Sequence, residues 1–392
     1  MRLKSLFALT IACALLLGAA VWAESRPAGQ DLTVFAADGI RLQATYWSAG
    51  KPGPGVLLLH MCNSDRKAWF GLGPMLAARG IHALALDYRG YGESGGQQSQ
   101  DSQVRQRTVN EIWPSDVDAA FELLKSKLGV KDPLLGAAGG SCGVNQSIQL
   151  ARRHPEVRTL ALLAGGTNPA GEDFLGATSW MPLLGVAARD DGGAVAMTRW
   201  VLGFSSHSAN EFKEYADGGH GTAIFAVHKD LEPAIADWFE RHLIRQPVRA
   251  QAPTRNPVRG PSAKLWASFR EPGGVAAARA ELHAAAARGE RLPFPPEGAI
   301  NGLGYELLQN GNSAQAIELF ELNVELHPES VNTYDSLADG YVAAGKRDLA
   351  LATVEKGFKL LSTDPALDAD WQTALREALA AKLKELRKAP GG

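Results

Sequence analysis

Cysteine is scarce in this chain, and neither sign of charge dominates it. The 392 residues include three cysteines, and 40 basic residues nearly balance 42 acidic ones, for a formal net charge of −2. A charge this close to zero gives no reason to expect nucleic acid or another polyanion as a partner. The sequence also lacks a cluster of metal ligands, a phosphate-binding glycine loop and a stripe of basic and aromatic residues. It therefore indicates neither a metal nor a cofactor.

A single long apolar stretch opens the chain. Arg2 and Lys4 precede LFALTIACALLLGAAVWA, which ends with Val21 and Ala23 at positions −3 and −1 of a cleavage site. This pattern predicts a secretory signal peptide over residues 1–23. An uncleaved membrane anchor is the weaker alternative, because the stretch is short for a span. We expect a periplasmic or secreted protein that keeps no stable membrane span after cleavage.

Residues 30–245 alternate short aliphatic runs with longer amphipathic stretches. LTVFAADGIRLQATYW predicts a hairpin with Asp38-Gly39 at its turn. The apolar runs GVLLLH, HALALDY, PLLGAAG, VRTLALLAG and MPLLGVAA are candidates for buried strands, and DVDAAFELLKSKLG and NQSIQLARRHP are helical in pattern. Continuous apolar strands separated by helices predict an α/β fold with a mostly parallel, doubly wound sheet.

The composition changes after this region. Residues 246–262 contain four prolines and no apolar periodicity, which predicts a linker. Residues 263–388 are helical in pattern, and aligning the segment around Leu303 with the segment around Leu337 gives a period of 34. This period, with small residues where two helices would cross, resembles tetratricopeptide repeats. Because two repeats bury little apolar surface alone, we expect this small all-α region to pack on the first region, a protein partner or a second copy.

The segment GGSCG, residues 139–143, places two nucleophilic side chains next to each other. It follows the strand candidate PLLGAA and precedes NQSIQLARRHP, which is the strand–turn–helix context that the pattern G-x-S-x-G requires. The turn is tight, so the residues two positions before and after the nucleophile must be small. They are glycines if the turn is centred on Ser141, whereas Val144 would crowd a turn centred on Cys142. The sequence therefore predicts Ser141 as the nucleophile.

Three segments together resemble the α/β-hydrolase fold family, with dienelactone-hydrolase-like serine hydrolases as the nearest type. They are VLLLHMCNSDRKAW after the third strand, ALDYRGYGES after the fourth and GGSCG after the fifth. The resemblance covers about residues 30–245. Met61 stands where the family usually has glycine after the histidine, and this departure bears on the path of that turn.

The resemblance implies a catalytic triad in the chain order serine, acid, histidine. The family's Gly-x-x-Asp ending falls on Ala188 and Asp191, which implies Asp191 as the acid and leaves its neighbour Asp190 as the alternative. The base is expected in the loop after the last strand, where ADGGHG offers His220. His207 is the rival base, but it precedes that strand.

The resemblance also implies an oxyanion hole made of two backbone N–H groups. One belongs to Cys142, the residue after the nucleophile, and the other to Cys62 or, with less support, to Met61. In the resembled fold the strands before Cys62 and Cys142 are neighbours, and an oxidising compartment preserves disulfides. A disulfide between Cys62 and Cys142 is therefore implied, with two buried free thiols as the alternative.

Several nearby residues are expected to support the site rather than to react. His60 is expected to order the oxyanion turn, and Asp87 and Arg89 the loop after the fourth strand. The segment between VRTLALLAG and MPLLGVAA is too short for a separate helical lid. We therefore expect an open pocket, with Phe174 and Trp180 as candidates for its rim.

Together these features predict a serine hydrolase that acts on a small-molecule acyl substrate. Ester hydrolysis is favoured over amide hydrolysis, because no peptide-specificity pocket is evident in the sequence. The alternative from another class is a catalytically inactive hydrolase-fold scaffold that binds a protein partner through its helical repeats. A cysteine hydrolase built on Cys142 is a third interpretation, which Val144 disfavours for the steric reason above.

Overall fold

The computed structural model describes residues 27–99, 101–249, 259–290, 292–364 and 369–388. The predicted signal peptide, residues 1–23, and residues 250–258 of the predicted linker lie outside this part of the chain. The strands are β1 (Gln30–Phe35), β2 (Arg41–Trp47), β3 (Gly55–Leu59), β4 (His82–Leu86), β5 (Leu135–Gly140), β6 (Val157–Leu163), β7 (Leu183–Ala188) and β8 (Glu211–Tyr215). They form one sheet in the order β1-β2-β4-β3-β5-β6-β7-β8.

The sheet is antiparallel only on the side where it begins, at β1 and β2. β2 pairs antiparallel with β1 and with β4, and the neighbouring pairs from β4 to β8 are all parallel. The predicted mostly parallel α/β sheet is therefore confirmed. The carboxyl ends of β3, β5, β6, β7 and β8 lie at one edge of the sheet, here named the carboxyl edge. The loops that follow these strands meet there.

Helices cover the sheet and continue beyond it. The α-helices of the described residues are α1 (Leu72–Ala78), α2 (Ser102–Arg107), α3 (Trp113–Lys127), α4 (Cys142–Arg153), α5 (Pro169–Ala177), α6 (Ala194–Leu202), α7 (Ile224–Val227), α8 (Leu231–Glu240), α9 (Pro261–Ser268), α10 (Gly274–Ala287), α11 (Glu297–Gln309), α12 (Ser313–Leu326), α13 (Val331–Ala343), α14 (Arg347–Leu360) and α15 (Ala369–Arg387). Within the described ranges, no helix is both long enough and apolar enough to cross a membrane.

Alternating side chains along the buried strands divide the core of the sheet region into two layers. In β3, Leu57 and Leu59 belong to the layer that includes α3 and α4, whereas Val56 and Leu58 belong to the layer that includes α1 and α8. All four side chains are fully buried. A parallel sheet covered on both faces needs apolar residues at every strand position, which is why these strands are continuous apolar runs.

The helices after the sheet repeat regularly. α13 begins 34 residues after α11, and α14 begins 34 residues after α12, which matches the period in the sequence. Where α11 crosses α12, a Cβ atom on Gly304 would lie 2.3 Å from the Phe320 ring, so glycine allows the close approach. The assignment of these helices to the tetratricopeptide family stays a prediction.

Candidate active site

The turn between β5 and α4 holds Ser141 in a backbone conformation that is rare outside glycine. Its φ is 52° and its ψ is −119°. A Cβ atom on Gly139 would lie 2.1 Å from the carbonyl oxygen of Gly143, and one on Gly143 would lie 2.4 Å from the carbonyl oxygen of Leu59. Neither position has room for a side chain. The two glycines thus permit the turn that presents Ser141 at the carboxyl edge.

A disulfide joins Cys142 to Cys62, with their Cα atoms 5.8 Å apart and a sequence separation of 80 residues. While this bond is intact, Cys142 has no thiolate with which to attack a substrate. Cys142 also begins α4, and the first N–H groups of a helix have no acceptor inside it. The disulfide therefore links one predicted oxyanion donor, at Cys142, to the turn that carries the other two, at Cys62 and Met61.

His60 fixes the backbone of the turn after β3. Its side chain is fully buried, with Nδ1 2.6 Å from the Met61 carbonyl oxygen and Nε2 3.2 Å from the Tyr88 backbone nitrogen. Because Nε2 accepts the Tyr88 N–H, Nδ1 carries the proton and donates it to Met61. Burial lowers the pKa of His60, which keeps the ring neutral in this role.

The Met61 side chain occupies the space between the turn at Ser141 and the loop after β8. It is 8% exposed, its Cγ would lie 3.1 Å from a Cβ atom on Gly140, and its Sδ would lie 2.5 Å from one on Gly221. The family pattern has glycine at this position and would leave the space empty. This packing is the structural consequence of the departure noted in the sequence.

Asp191 and His220 meet at the carboxyl edge. Asp191 follows β7, His220 follows β8, and a carboxylate oxygen of Asp191 lies 2.7 Å from Nδ1 of His220. The neighbouring Asp190 instead accepts the backbone N–H groups of Gly218 and Gly219, at 3.0 and 3.1 Å, and so holds the loop that carries His220. With Nδ1 engaged by Asp191, Nε2 is the other ring nitrogen of His220.

His207 lies at the end of the sheet opposite to the carboxyl edge. It precedes β8, and its Nδ1 accepts the backbone N–H of Ala209 at 3.0 Å. Burial lowers its pKa, so its ring is held neutral away from the carboxyl edge. The structure therefore does not bring His207 together with Ser141.

The predicted rim residues do not line the cleft at Ser141. Trp180 precedes β7, and its ring lies 5.8 Å from the guanidinium carbon of Arg158 near the start of β6. Phe174 packs against the core layer that includes α3 and α4. The prediction of this rim is wrong: neither side chain lines the cleft. Trp180 precedes a parallel strand, and such residues lie at the end of the sheet opposite to the residues that follow the strands.

A buried ion pair that the sequence did not indicate supports the loop after β4. Arg66 is 1% exposed and donates to the fully buried Asp87 at 2.5 Å, and Asp87 also accepts the backbone N–H of Glu93 at 2.9 Å. Arg89 pairs with the buried Asp116, also at 2.5 Å. These contacts give Asp87 and Arg89 the supporting position expected of them. Arg66 has no signal in the sequence, because an arginine in a polar turn usually faces solvent.

The predicted catalytic residues share one cleft of about 430 Å³. Small residues after β6 and in the loop after β7 form most of its wall. The lining residues are Ser141, Cys142, residues 164–166, residues 191–194, Met197 and His220. A Cβ atom on Gly165 would lie 2.3 Å from the carbonyl oxygen of Ser141, so this wall approaches the turn at Ser141 closely. The sheet region has the α/β-hydrolase fold.

Comparison with known proteins finds relatives over part of the chain. No family model matches it. Two uncharacterized proteins of Mycobacterium tuberculosis, from the strains CDC 1551 / Oshkosh and ATCC 25618 / H37Rv, are each 31% identical to it over 131 residues. That segment is 33% of this chain and 43% of each relative, so the match spans less than half the length of these curated proteins.

Similar solved structures include an esterase and a protein solved with bound ferulic acid. The Pyrococcus furiosus esterase Pf2001 is 16% identical with a TM-score of 0.45, and the match covers 62% of this chain and 97% of that one. Est1E from Butyrivibrio proteoclasticus, solved with bound ferulic acid, is 15% identical with a TM-score of 0.43, and the match covers 54% of this chain and 98% of that one.

Proposed function

We propose that this chain is an exported serine hydrolase that cleaves an ester of a small-molecule acyl substrate. Ser141 is the nucleophile, His220 the general base and acid, and Asp191 the residue that orients His220. One observation carries the proposal: Ser141 shares a cleft with a histidine whose Nδ1 is held 2.7 Å from a carboxylate. A serine hydroxyl is a weak nucleophile, and a histidine in this arrangement is the group that activates it.

The proposed reaction has two halves. In the first, Ser141 Oγ bonds to the acyl carbon and gives its proton to Nε2 of His220, and the carbonyl oxygen becomes an oxyanion. The intermediate then expels the alcohol, which takes the proton from His220 and leaves an acyl-serine ester. In the second half, water attacks the acyl carbon with His220 again as base. The acid departs, and the proton returns from His220 to Ser141.

The oxyanion is assigned to the backbone N–H groups of Cys142 and Cys62, with Met61 as the alternative second donor. Three features support this assignment: the position of Cys142 at the start of α4, the disulfide between the two turns, and the hydrogen bonds of His60. Donors held rigidly where charge develops stabilise the transition state without reorganising during the reaction.

The proposal includes export and a domain arrangement. Residues 1–23 are the signal peptide, residues 30–245 the hydrolase domain, residues 246–262 the linker and residues 263–388 a tetratricopeptide-like domain. A disulfide supports export to the periplasm or beyond the cell, because such bonds persist in oxidising compartments.

Labelling with a fluorophosphonate, together with hydrolysis of p-nitrophenyl acetate, tests the catalytic part of the proposal. The mature protein should incorporate the label at Ser141 and hydrolyse the ester, and Ser141→Ala should lose both activities. Ser126→Ala, which removes an exposed hydroxyl on α3, is the matched control and should retain both. A wild-type protein that neither labels nor hydrolyses esters would favour the inactive scaffold that binds partners through its helices.

A further inference from the structure

A second cleft, of about 830 Å³, lies between the hydrolase fold and the helices that follow it. The loop after β7 and α6 form one side, and α10, the segment 292–297 and α12 form the other. The apolar side chains that line it are Val195, Met197, Leu282, Leu292, Phe294 and Leu326. We name it the interdomain cleft.

The interdomain cleft adjoins the candidate active site. Gly192, Gly193 and Met197 line both spaces, and Gly192 directly follows Asp191 in the chain. Met197 lies at the boundary between the two spaces. A Cβ atom on Gly166, which lines the active site, would lie 2.7 Å from the sulfur of Met197. A molecule whose carbonyl carbon sits at Ser141 can therefore extend into the interdomain cleft without leaving the protein surface.

Charged groups beside the cleft are engaged with other protein groups. Arg199 pairs with Glu214 at 2.9 Å, and Glu297 accepts a hydrogen bond from the side-chain amide of Asn332 at 2.7 Å. Burial lowers the pKa of His327, so this ring stays neutral. A ligand in the cleft would therefore contact mainly its apolar lining.

Packing contacts of α9 hold the two sides of the cleft in place. The backbone N–H of Ser262 donates to the Gly203 carbonyl at the end of α6, with a distance of 2.9 Å. The ring of Trp266 lies 5.9 Å from that of Trp200 in α6 and 6.0 Å from that of Phe269, which belongs to the core of the helical region. The cleft is thus formed by two regions that are joined through a packed helix.

We propose that the interdomain cleft binds the hydrocarbon chain of an ester whose carbonyl group is at Ser141. The helical region thereby contributes to substrate specificity. This inference rests on the proposed ester hydrolase function. The volume of the cleft is in the range of known ligand pockets. Each methylene group transferred from water into it should raise kcat/KM about threefold to fourfold, until the chain fills the space.

Bulky substitutions from each side of the cleft test the proposal in the full mature chain. Ala286 of α10 and Ala196 of α6 line the cleft and have exposed side chains, so Ala286→Trp and Ala196→Trp fill it without disturbing the core. Each should lower the ratio of kcat/KM for p-nitrophenyl decanoate to kcat/KM for p-nitrophenyl acetate at least tenfold. Ala280→Trp, at an exposed position of α10 outside the cleft, is the control and should keep the wild-type ratio.

A parallel series identifies which half of the ester enters the cleft. Acetate esters of ethanol and decanol vary the alcohol, whereas the p-nitrophenyl esters vary the acyl group. The series whose chain-length preference disappears in Ala286→Trp and Ala196→Trp contains the chain that binds there. If both variants keep the wild-type preference in both series, the cleft does not hold the chain and the inference is overturned.

A binding measurement separates this inference from the proposed function. Dansyl-undecanoic acid should bind to Ser141→Ala with an increase in fluorescence, and adding Ala286→Trp should weaken binding at least tenfold, whereas adding Ala280→Trp should not. If the probe binds in this way but no ester is hydrolysed by the wild type, the proposed function fails and the apolar site stands. If the probe does not bind and the wild type hydrolyses esters without a preference for chain length, the inference about the apolar cleft is overturned. The proposed ester hydrolase function would then still stand.

Discussion

In the sheet region, the glycines that pack against the Ser141 turn serve a different purpose from Gly304 in the helical region. Cβ atoms added to Gly139 and Gly165 would meet backbone, namely the Gly143 carbonyl and, at 2.3 Å, the Ser141 carbonyl. In the helical region, a Cβ atom on Gly304 would meet the side chain of Phe320. A close contact between two backbone segments fixes the path of a loop and the groups that the loop presents. A close contact between the backbone of one helix and an aromatic ring of another sets the distance between the two helices. A substitution that disrupts the loop contacts at Ser141 should therefore lower activity, whereas one that disrupts the helix contact at Gly304 should lower stability.

The largest effect is expected at the acid of the proposed triad. Asp191→Asn should lower kcat for p-nitrophenyl acetate by about three to four orders of magnitude, because a neutral amide neither stabilises the imidazolium of His220 nor enforces its tautomer. Asp190→Asn should lower kcat less than about tenfold, because an amide oxygen can still accept the N–H groups of the loop. Steady-state kinetics of both variants checks the prediction. If Asp190→Asn lowers kcat more than Asp191→Asn does, Asp190 is the acid of the triad.

The disulfide should give the next largest effect, now on stability. Removing a bond that closes a loop of 80 residues should lower the free energy of unfolding by up to about 4.5 kcal/mol in the chain-entropy model. The measurement is denaturant unfolding of the mature protein with and without dithiothreitol. The double variant Cys62→Ser, Cys142→Ser is the control, since its stability should not respond to reductant.

Thiol titration gives an independent check on the same bond. The protein without residues 1–23, denatured without reductant, should show no titratable thiol, because the proposed cleavage removes Cys13 and leaves Cys62 and Cys142. Two thiols per chain would contradict the disulfide and restore the alternative of two buried free cysteines.

The sequence was most informative where the constraint is local. The pattern G-x-S-x-G predicts a nucleophile from steric limits within five residues, and the described turn at Ser141 has those limits. The order serine, acid, histidine came from the family resemblance, and the structure brings Asp191 and His220 together because residues that follow neighbouring parallel strands meet at one edge. The first inference needs only local sterics, whereas the second needs the family pattern as well as the sheet topology, and the catalytic roles of these residues stay a prediction.

Apart from the Cys62–Cys142 disulfide and the Asp191–His220 contact, which the family resemblance implied, contacts between residues distant in sequence were not predicted. The pairing of Arg66 with Asp87 joins two loops, and the packing of Met61 against Gly221 joins residues that are far apart in the chain. Trp180 was named as a rim candidate from its place in the short segment before MPLLGVAA, and it lies at the end of the sheet opposite to the carboxyl edge. The interdomain cleft requires the relative position of α6 and α10, for which neither segment contains a local signal.

A smaller effect is expected from a buried histidine in the sheet region. His242 is 5% exposed, and burial, together with the charge of Arg241 and the nearby His207, lowers its pKa from 6.5 to about 4, although Glu211 opposes this shift. Above pH 6.5 the ring is neutral in both states, and below it the unfolded chain binds a proton that the folded chain does not. The free energy of unfolding should therefore fall between pH 6.5 and 4, by about 3 kcal/mol at most from this residue.

Unfolding of the wild type and of His242→Phe across this pH range measures that contribution. The variant should show a shallower decline, and the remaining slope is expected partly from other histidines whose pKa burial lowers, namely His60, His82, His207 and His327. Identical slopes in the two proteins would mean that His242 is accessible to protons in the folded state.

The smallest effect is expected in the helical region and tests the other half of the comparison. Gly304→Ala should lower the free energy of unfolding by about 1–3 kcal/mol, because its Cβ atom would lie 2.3 Å from the fully buried Phe320 ring. Gly302→Ala is the matched control on the same helix: nothing lies within 4 Å of its added Cβ atom, so it should raise stability by about 0.5–1 kcal/mol. Both variants should hydrolyse p-nitrophenyl acetate at the wild-type rate. A loss of that activity in Gly304→Ala, with the fold intact by circular dichroism, would show that helix spacing in this region also controls the chemistry at Ser141.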